Sequence, residues 1–255
     1  MPPEIKTQLG LIGIVDEESK ADFWGTMQKV AAMGYRGIEG GEALLKGDAS
    51  ENVRRFHDLG LQVLTISAGR DNLLDQADDI VRRAQALQTK RATIWWAPCD
   101  SRESTLRDAE LFNTAGARMA KEGITLCYHH HEQELRNVFD GVRALDLLLA
   151  NTAPENVQFV LDIAWAAFGG ENPVRLIGQM KGRIASLHLK DLSRLDERNH
   201  FTALGTGVVD VQGSVKAANE ANVLWMVVEQ DKLRNLDAME TVLLSALYLR
   251  EAGLV

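Results

Sequence analysis

The stretch Ile124–Glu134, ITLCYHHHEQE, sets the reading of this chain. An apolar run of strand character, carried by Ile124, Leu126 and Cys127, ends in three consecutive histidines and two carboxylates. Side chains on a strand alternate faces, which puts His129 and His131 on one side and His130 on the other. Imidazoles and carboxylates gathered at the tip of a buried strand are costly unless something there uses them. A metal ion with a proton-transfer site beside it would use them all. A single histidine in this place would read as a polar cap on a loop. Three of them, with matching groups elsewhere in the chain, read as a site.

Outward from this stretch, short apolar runs recur with amphipathic or charged segments between them. Strands are expected at Gln8–Val15, Arg36–Glu39, Gln62–Ser67, Ala92–Ala97, Ile124–His129, Val157–Ile163, Ile184–Lys190 and Trp225–Gln230. Helices fall between them, and the last, Leu236–Ala252, carries Met239, Val242, Leu243, Ala246 and Leu247 on one stripe. Gly34, Gly60 and Gly123 each close a helix ahead of a strand, and Pro173 behind Asn172 opens one. Eight strand-then-helix units indicate a parallel sheet, and in 255 residues the economical closure is an α/β fold, a single (β/α)8 TIM barrel spanning 1–255. An open doubly wound sheet would call for a glycine-rich turn after the first strand, and Gly10, Gly13 and Asp16-Glu17-Glu18 do not supply one. The longest irregular stretch, Asp191 to Asp210, reads as a lid or part of a site. Its GTGVVD segment does not directly follow a strand, so its glycines are expected to shape the loop while Asp210 caps the next helix.

Charge and composition remove several functions. A net charge of −8 and a pI near 5.3 speak against nucleic acid or an anionic membrane surface as partner. No window approaches the roughly 18 uncharged apolar residues of a membrane-spanning helix. The opening residues, MPPEIKTQLG, lack a cationic region followed by an apolar one, so no signal peptide is expected. Cys99 and Cys127 have no CxxC spacing and read as two reduced, buried thiols, which makes the cytoplasm the expected compartment.

In a barrel of this kind function sits at the C-terminal ends of the strands. Those ends read Glu39, Ser67, Trp95-Trp96, His129 to Glu134, Asp162, His188 and Glu229. Carboxylates converging on one mouth repel in a low dielectric, and a divalent cation removes that penalty. Glu134, Asp162, His188 and Glu229 form an oxygen-rich donor set with one nitrogen. Such a set favours Mn²⁺ or Mg²⁺, with Co²⁺, Fe²⁺ and Zn²⁺ as further candidates. His129 or His131 could replace Glu134 in it. The candidate bases and acids are His129, His131 and Glu39, with Lys190 polarising a substrate oxygen. Trp96, Trp165 and Ser67 are the expected substrate contacts, the Trp95-Trp96 pair offering one ring to the mouth and one outward.

The chain resembles the sugar phosphate isomerase/epimerase group of xylose-isomerase-like TIM barrels, over nearly its whole length and most densely from residue 124 to 231. YHHHEQEL, Tyr128 to Leu135, is similar to the family block YHNHxxEF. Asp162, Trp165, Gly170 and Pro173 follow its D-x-x-W-x-x-x-x-G-x-x-P pattern. His188, Lys190 and Asp191 form its HxKD turn, Gly205–Asp210 its G-x-G-x-x-D stretch, and Trp225–Asp231 its W-x-x-V-E-Q-D close. The chain departs from the pattern at His130, where Asn is usual, and at Leu135, where Phe is usual. The HHH form is similar to that of inosose dehydratases in the same superfamily. The resemblance implies one divalent metal held by Glu134, Asp162, His188 and Glu229, a sugar or keto-sugar substrate, and a homo-oligomer. It implies proton transfer next to a carbonyl, ending in isomerisation, epimerisation or dehydration. A more distant likeness to apurinic endonucleases fits poorly with the acidic charge.

Overall fold

Each of the eight apolar runs forms a strand in the computed structural model, which describes residues 7–255. The six residues before them, part of the stretch read for a leader peptide, lie outside the described residues. The barrel strands are β1 (Gln8–Leu11), β2 (Gly37–Glu39), β3 (Gln62–Ser67), β4 (Arg91–Ile94), β5 (Thr125–His129), β6 (Val157–Asp162), β7 (Ile184–Leu189) and β8 (Trp225–Val228). They pair in parallel in chain order, and Gln8 opposite Trp225 joins β1 to β8 to close the ring. The chain is a TIM barrel. Strands covered on both faces should read as near-continuous apolar runs; WMVV is one, and VQFVLD and IASLHL are broken only at Gln158, Asp162, Ser186 and His188.

Most strands are shorter than their apolar runs because side-chain chemistry beyond them redirects the backbone. Gly13, with φ +73°, turns the chain out of β1 before the expected end at Val15. The floor of the barrel needs two bare backbones: a Cβ on Gly37 or Gly10 would come within 2.4 or 2.8 Å of Leu64. Leu64 packs there against Trp225 and Val227.

The helices differ from expectation where caps intervene. The first one splits into Asp16–Ala21 and Phe23–Ala32 because Asp22 is extended and its carboxylate accepts from the Gly25 amide at 3.0 Å. The short helix Ile163–Phe168 was hidden in sequence because it follows β6 without a break, nucleated by Asp162 Oδ1 accepting from Ala164 and Trp165 amides at 2.9 Å. In the final helix, Ala238–Glu251, the buried stripe is Ala238, Thr241, Val242, Ser245, Ala246 and Leu249, while Leu243 is exposed. The expected stripe was rotated, since small Ala, Ser and Thr face the tight contact and larger Leu side chains flank it. Among the described residues no helix is long and apolar enough to cross a membrane.

The long segment after β7 is ordered by one carboxylate. Asp191 Oδ1 accepts from the amides of Leu192 (2.9 Å) and Val209 (3.1 Å), and Oδ2 from those of Gly205 (3.0 Å) and Gly207 (2.9 Å). A Cβ on Gly207 would fall 2.2 Å from Asp191 Oδ1, so close approach explains the glycine. Asp210 caps the following helix through the Gly213 amide at 2.8 Å. Asp191→Asn places an amide NH₂ against this ring of donors and should cost about 1–3 kcal/mol in chemical denaturation. Wild-type stability in that variant would show that the loop is held by other contacts.

Candidate functional site

The ends of the strands converge at the C-terminal mouth of the barrel. Glu39 ends β2, His129 ends β5 and Asp162 ends β6, while His188 sits one residue before the end of β7 and Glu229 one residue beyond β8. His129, Asp162, His188 and Glu229 each offer a donor atom, and the four atoms lie within 4.8 Å of one another. His188 bridges two carboxylates, with Nδ1 2.7 Å from Glu229 Oε2 and Nε2 2.7 Å from Glu39 Oε2. Glu39 is completed by the Ser186 hydroxyl, which donates to Oε1 at 3.1 Å. Lys190, on the same face as His188 by strand alternation, puts Nζ 2.9 Å from Glu229, 3.0 Å from Asp231 and 3.2 Å from Asp162.

Two atoms at the centre are left unmatched. His129 Nε2 and Asp162 Oδ2 lie 3.5 Å apart, and Lys190 Nζ approaches the same oxygen, yet neither contact has hydrogen-bond geometry. His131 Nδ1 and Trp165 Nε1 are likewise buried without partners. The His131 ring stands 4.7 Å from that of His129 and 5.6 Å from that of Trp165. Of the ten buried side-chain polar atoms without partners among the described residues, these four gather around one mouth, which suits that place to a ligand.

The charges explain one another. Burial would raise Asp162, but the Lys190 ammonium and His129 hold it well below the usual carboxylate range. Glu229 is pulled up by burial and down further by Lys190 and His188, and it stays ionised. Burial alone would lower His188, and Glu39 with Glu229 outweighs it, raising the imidazole to about 10. Burial also opposes the charge on Lys190, which Asp162, Glu229 and Asp231 restore and hold above its ordinary value. At His131 the pull of Asp162 is too weak to prevail. Burial, followed by His129 and Lys190, pushes it far down, so its imidazole is neutral.

Several expected residues take different places. Glu134 is fully buried but outside the four-atom cluster: the Tyr128 hydroxyl donates to its Oε1 and the His131 amide to its Oε2 at 2.9 Å. The turn after β5 carries it under His131 and away from the mouth, and His129 stands with the other three donors instead. Trp96 is 56% exposed, whereas the Trp95 ring lies 6.0 Å from His129 and 6.2 Å from His188. Alternation decides this. Thr93 faces the interior, where its hydroxyl meets that of Thr65 at 2.7 Å, and Trp95 two residues on shares its side. Ser67 accepts from the Trp95 indole at 3.0 Å and so holds the ring. Trp165 is buried against His131, Phe201 and the Arg198 guanidinium, which lies 4.7 Å above its ring.

Sequence reasoning left His130 without a role, and the structure gives it one. Fully buried, it donates from Nδ1 to the His131 carbonyl at 3.0 Å and accepts at Nε2 from the Asp162 amide at 3.1 Å. It thereby staples the end of β5 to the residue that carries a central carboxylate. An asparagine also offers a donor and an acceptor to such backbone partners.

Residues 27–251 match the family described as xylose isomerase-like TIM barrel. This chain belongs to that family. An inosose dehydratase from Klebsiella pneumoniae (strain 342) is 31% identical over 154 residues, 53% of this chain and 50% of that protein. The chain spans about half the length of the curated relatives it matches. A sugar phosphate isomerase/epimerase from Parabacteroides distasonis ATCC 8503 superposes with a TM-score of 0.81 at 23% identity, covering 100% of this chain and 97% of that one. The IOLI protein with a bound zinc atom superposes at 0.72 and 14% identity, over 96% and 98% of the two chains. At these identities both structures speak for the fold.

Within this xylose isomerase-like barrel the donors present suit a divalent cation. Two imidazoles and two carboxylates face one point, and the two unmatched atoms, His129 Nε2 and Asp162 Oδ2, belong to the same four residues; His188, protonated between Glu39 and Glu229, would release one ring proton on taking up the ion. Replacing Glu134 by His129 changes the set from one nitrogen to two, which broadens it towards Zn²⁺, Co²⁺ and Fe²⁺.

Two measurements follow from this geometry. His130→Asn should stay within about 1 kcal/mol of wild type in urea unfolding, while His130→Leu, which orphans a buried amide and carbonyl, should cost about 1–3 kcal/mol. Equal stabilities for the two variants would remove the staple. Burial raises Glu134 from 4.5 to about 7, against the Tyr128 and His131 hydrogen bonds that lower it. A raised carboxyl favours folding below its unfolded pKa, and that contribution disappears as pH climbs from about 4.5 through 7. Glu134→Gln should therefore flatten the decline in stability across this window. An unchanged slope would mean that Glu134 is ionised in the fold throughout.

Proposed function

We propose that this chain is a divalent-metal-dependent isomerase or epimerase of a ketose or related keto-sugar, working through an enediolate intermediate. The observation that carries this reading is the four-residue donor cluster beside the neutral, unpartnered His131. His129, Asp162, His188 and Glu229 would hold the ion, with Mn²⁺ our first candidate. When bound, the ion supplies Lewis acidity towards the carbonyl and offsets negative charge on the substrate.

The remaining work falls to the protein. His131 is the base we assign to the proton on the carbon next to the carbonyl, because its buried Nδ1 beside the donor cluster has no partner within the protein. Lys190 supplies a fixed positive charge beside Asp162 and Glu229, which would stabilise the negative charge that develops on the enediolate oxygens. Glu39 acts one layer back: its carboxylate fixes the His188 ring, as an outer partner of a metal-binding histidine does. Trp95 and Trp165 wall the mouth and limit water. Returning the proton to the neighbouring carbon completes isomerisation. Returning it to the opposite face of the same carbon completes epimerisation.

A second reading is dehydration of an inosose or similar keto-sugar, in which the same intermediate expels a β-hydroxyl. The 31% identical inosose dehydratase supports it. We place either reaction in the cytoplasm, in keeping with two buried free cysteines, Cys99 and Cys127.

Metal-reconstituted protein in D₂O with ketoses, inososes and keto-sugar acids should exchange an α-proton, followed by NMR. The accompanying product separates the two readings. Glu229→Gln should lower metal affinity and exchange by about 10–100-fold while the fold persists. Full metal content and full exchange in that variant would take Glu229 out of the donor set, and no exchange from any compound would refute the enolising reading.

A further inference from the structure

A cleft of about 760 Å³ opens beside the mouth and shares Glu39, Ser67 and Trp95 with it. It runs between the ends of β1, β2 and β3 and the helix Phe23–Ala32. That volume lies in the range of pockets that enclose drug-sized ligands, well beyond a single sugar ring. Its wall is apolar and aromatic, with Ile12, Val15, Phe23, Trp24, Ile38 and Trp95 facing the space. Phe23 and Trp24 pack edge to face at 5.1 Å, and the Arg55 guanidinium sits 3.9 Å over the Trp24 ring, so these rings are held in place.

The charges in the cleft disfavour an anion. Asp16, Glu39 and Glu42 line it against Lys20 and Lys46. Lys20 is turned to Glu17 at 2.5 Å, and at the mouth Lys190 is enclosed by three carboxylates. Neither lysine of the cleft is buried, so no desolvated cation waits for a phosphate.

We propose that this cleft binds an uncharged, ring-bearing apolar extension of the keto-sugar, so that the substrate is a conjugate of a sugar with an apolar group and not a sugar phosphate. This inference rests on the enolising reading of the mouth. The sugar part lies over Asp162, His188 and Glu229, and the extension passes Glu39 to lie against Trp24 and Phe23. Sugar rings present one apolar face, and aromatic walls recognise both that face and an attached ring without needing charge.

The test compares a panel of ketoses, their benzyl ethers and their phosphate monoesters on the metal-loaded full chain. Affinity is read by calorimetry and α-proton exchange by NMR. At least one benzyl ether should bind about tenfold or more tighter than its parent, as burial of one ring predicts, and no phosphate ester should gain. Trp24→Ala, and independently Ser19→Phe, which fills the cleft from the helix Asp16–Ala21, should bring the benzyl-to-parent ratio to about one. No tighter benzyl ether anywhere in the panel, a gain that survives both variants, or a gain with phosphate would each overturn the proposal. Binding with a benzyl gain but no exchange would sink the enolising reading and leave the cleft standing. Exchange with no benzyl gain would do the reverse.

Discussion

The mouth of this barrel depends on a balance among buried charges. Glu39, Asp162 and Glu229 converge in a space from which water is largely removed, with the more exposed Asp231 at its rim, and Lys190 with His188 offsets their mutual repulsion. Burying charge is expensive, and breaking a buried pair strands its partner. The strand ends can therefore carry acids only because alternation sends Lys190 and His188 to the same interior face. The balance is incomplete, since four carboxylates meet one ammonium and one imidazole. That shortfall, together with His129 Nε2 and Asp162 Oδ2 left without partners, is the physical ground for a cation here.

Much of this was legible in the sequence because the barrel is written in period two and in strand order. The runs VQFVLD, IASLHL and WMVVE place their terminal acids and histidine by length alone, and the eight strands close as expected. Errors arose where a turn or a cap decides. HHHEQE gives no sign of how sharply the chain folds after His131, so Glu134 was assigned to the mouth although it lies beneath it against Tyr128. The adjacent pair Trp95-Trp96 carries no sign of which ring enters the mouth; the phase is set by inward-facing Thr93, which brings in Trp95 and not Trp96. His130 was passed over because its partners are backbone groups, which no sequence pattern marks.

The family and the geometry speak at different levels. Membership of the xylose isomerase-like barrels follows from the match over residues 27–251, and the same barrel carries neighbours named for isomerisation, epimerisation and dehydration. What separates such outcomes is the position of the acid and the shape of the space beyond the carbonyl. In the reaction proposed for this chain those would be set by His131 with Trp165 on one flank, and by the aromatic cleft next to Glu39 on the other.

The anchoring of the segment after β7 has an evolutionary consequence. Its ends are gathered on Asp191, directly after Lys190, while Ser193 to Glu197 between them are exposed. Replacements along that tip leave the carboxylate knot, and therefore the lysine beside it, undisturbed. Selection can explore new rims over the mouth without first rebuilding the chemistry underneath. A single aspartate thus separates a fixed interior from an edge open to change, a separation by which one barrel can give rise to many specificities.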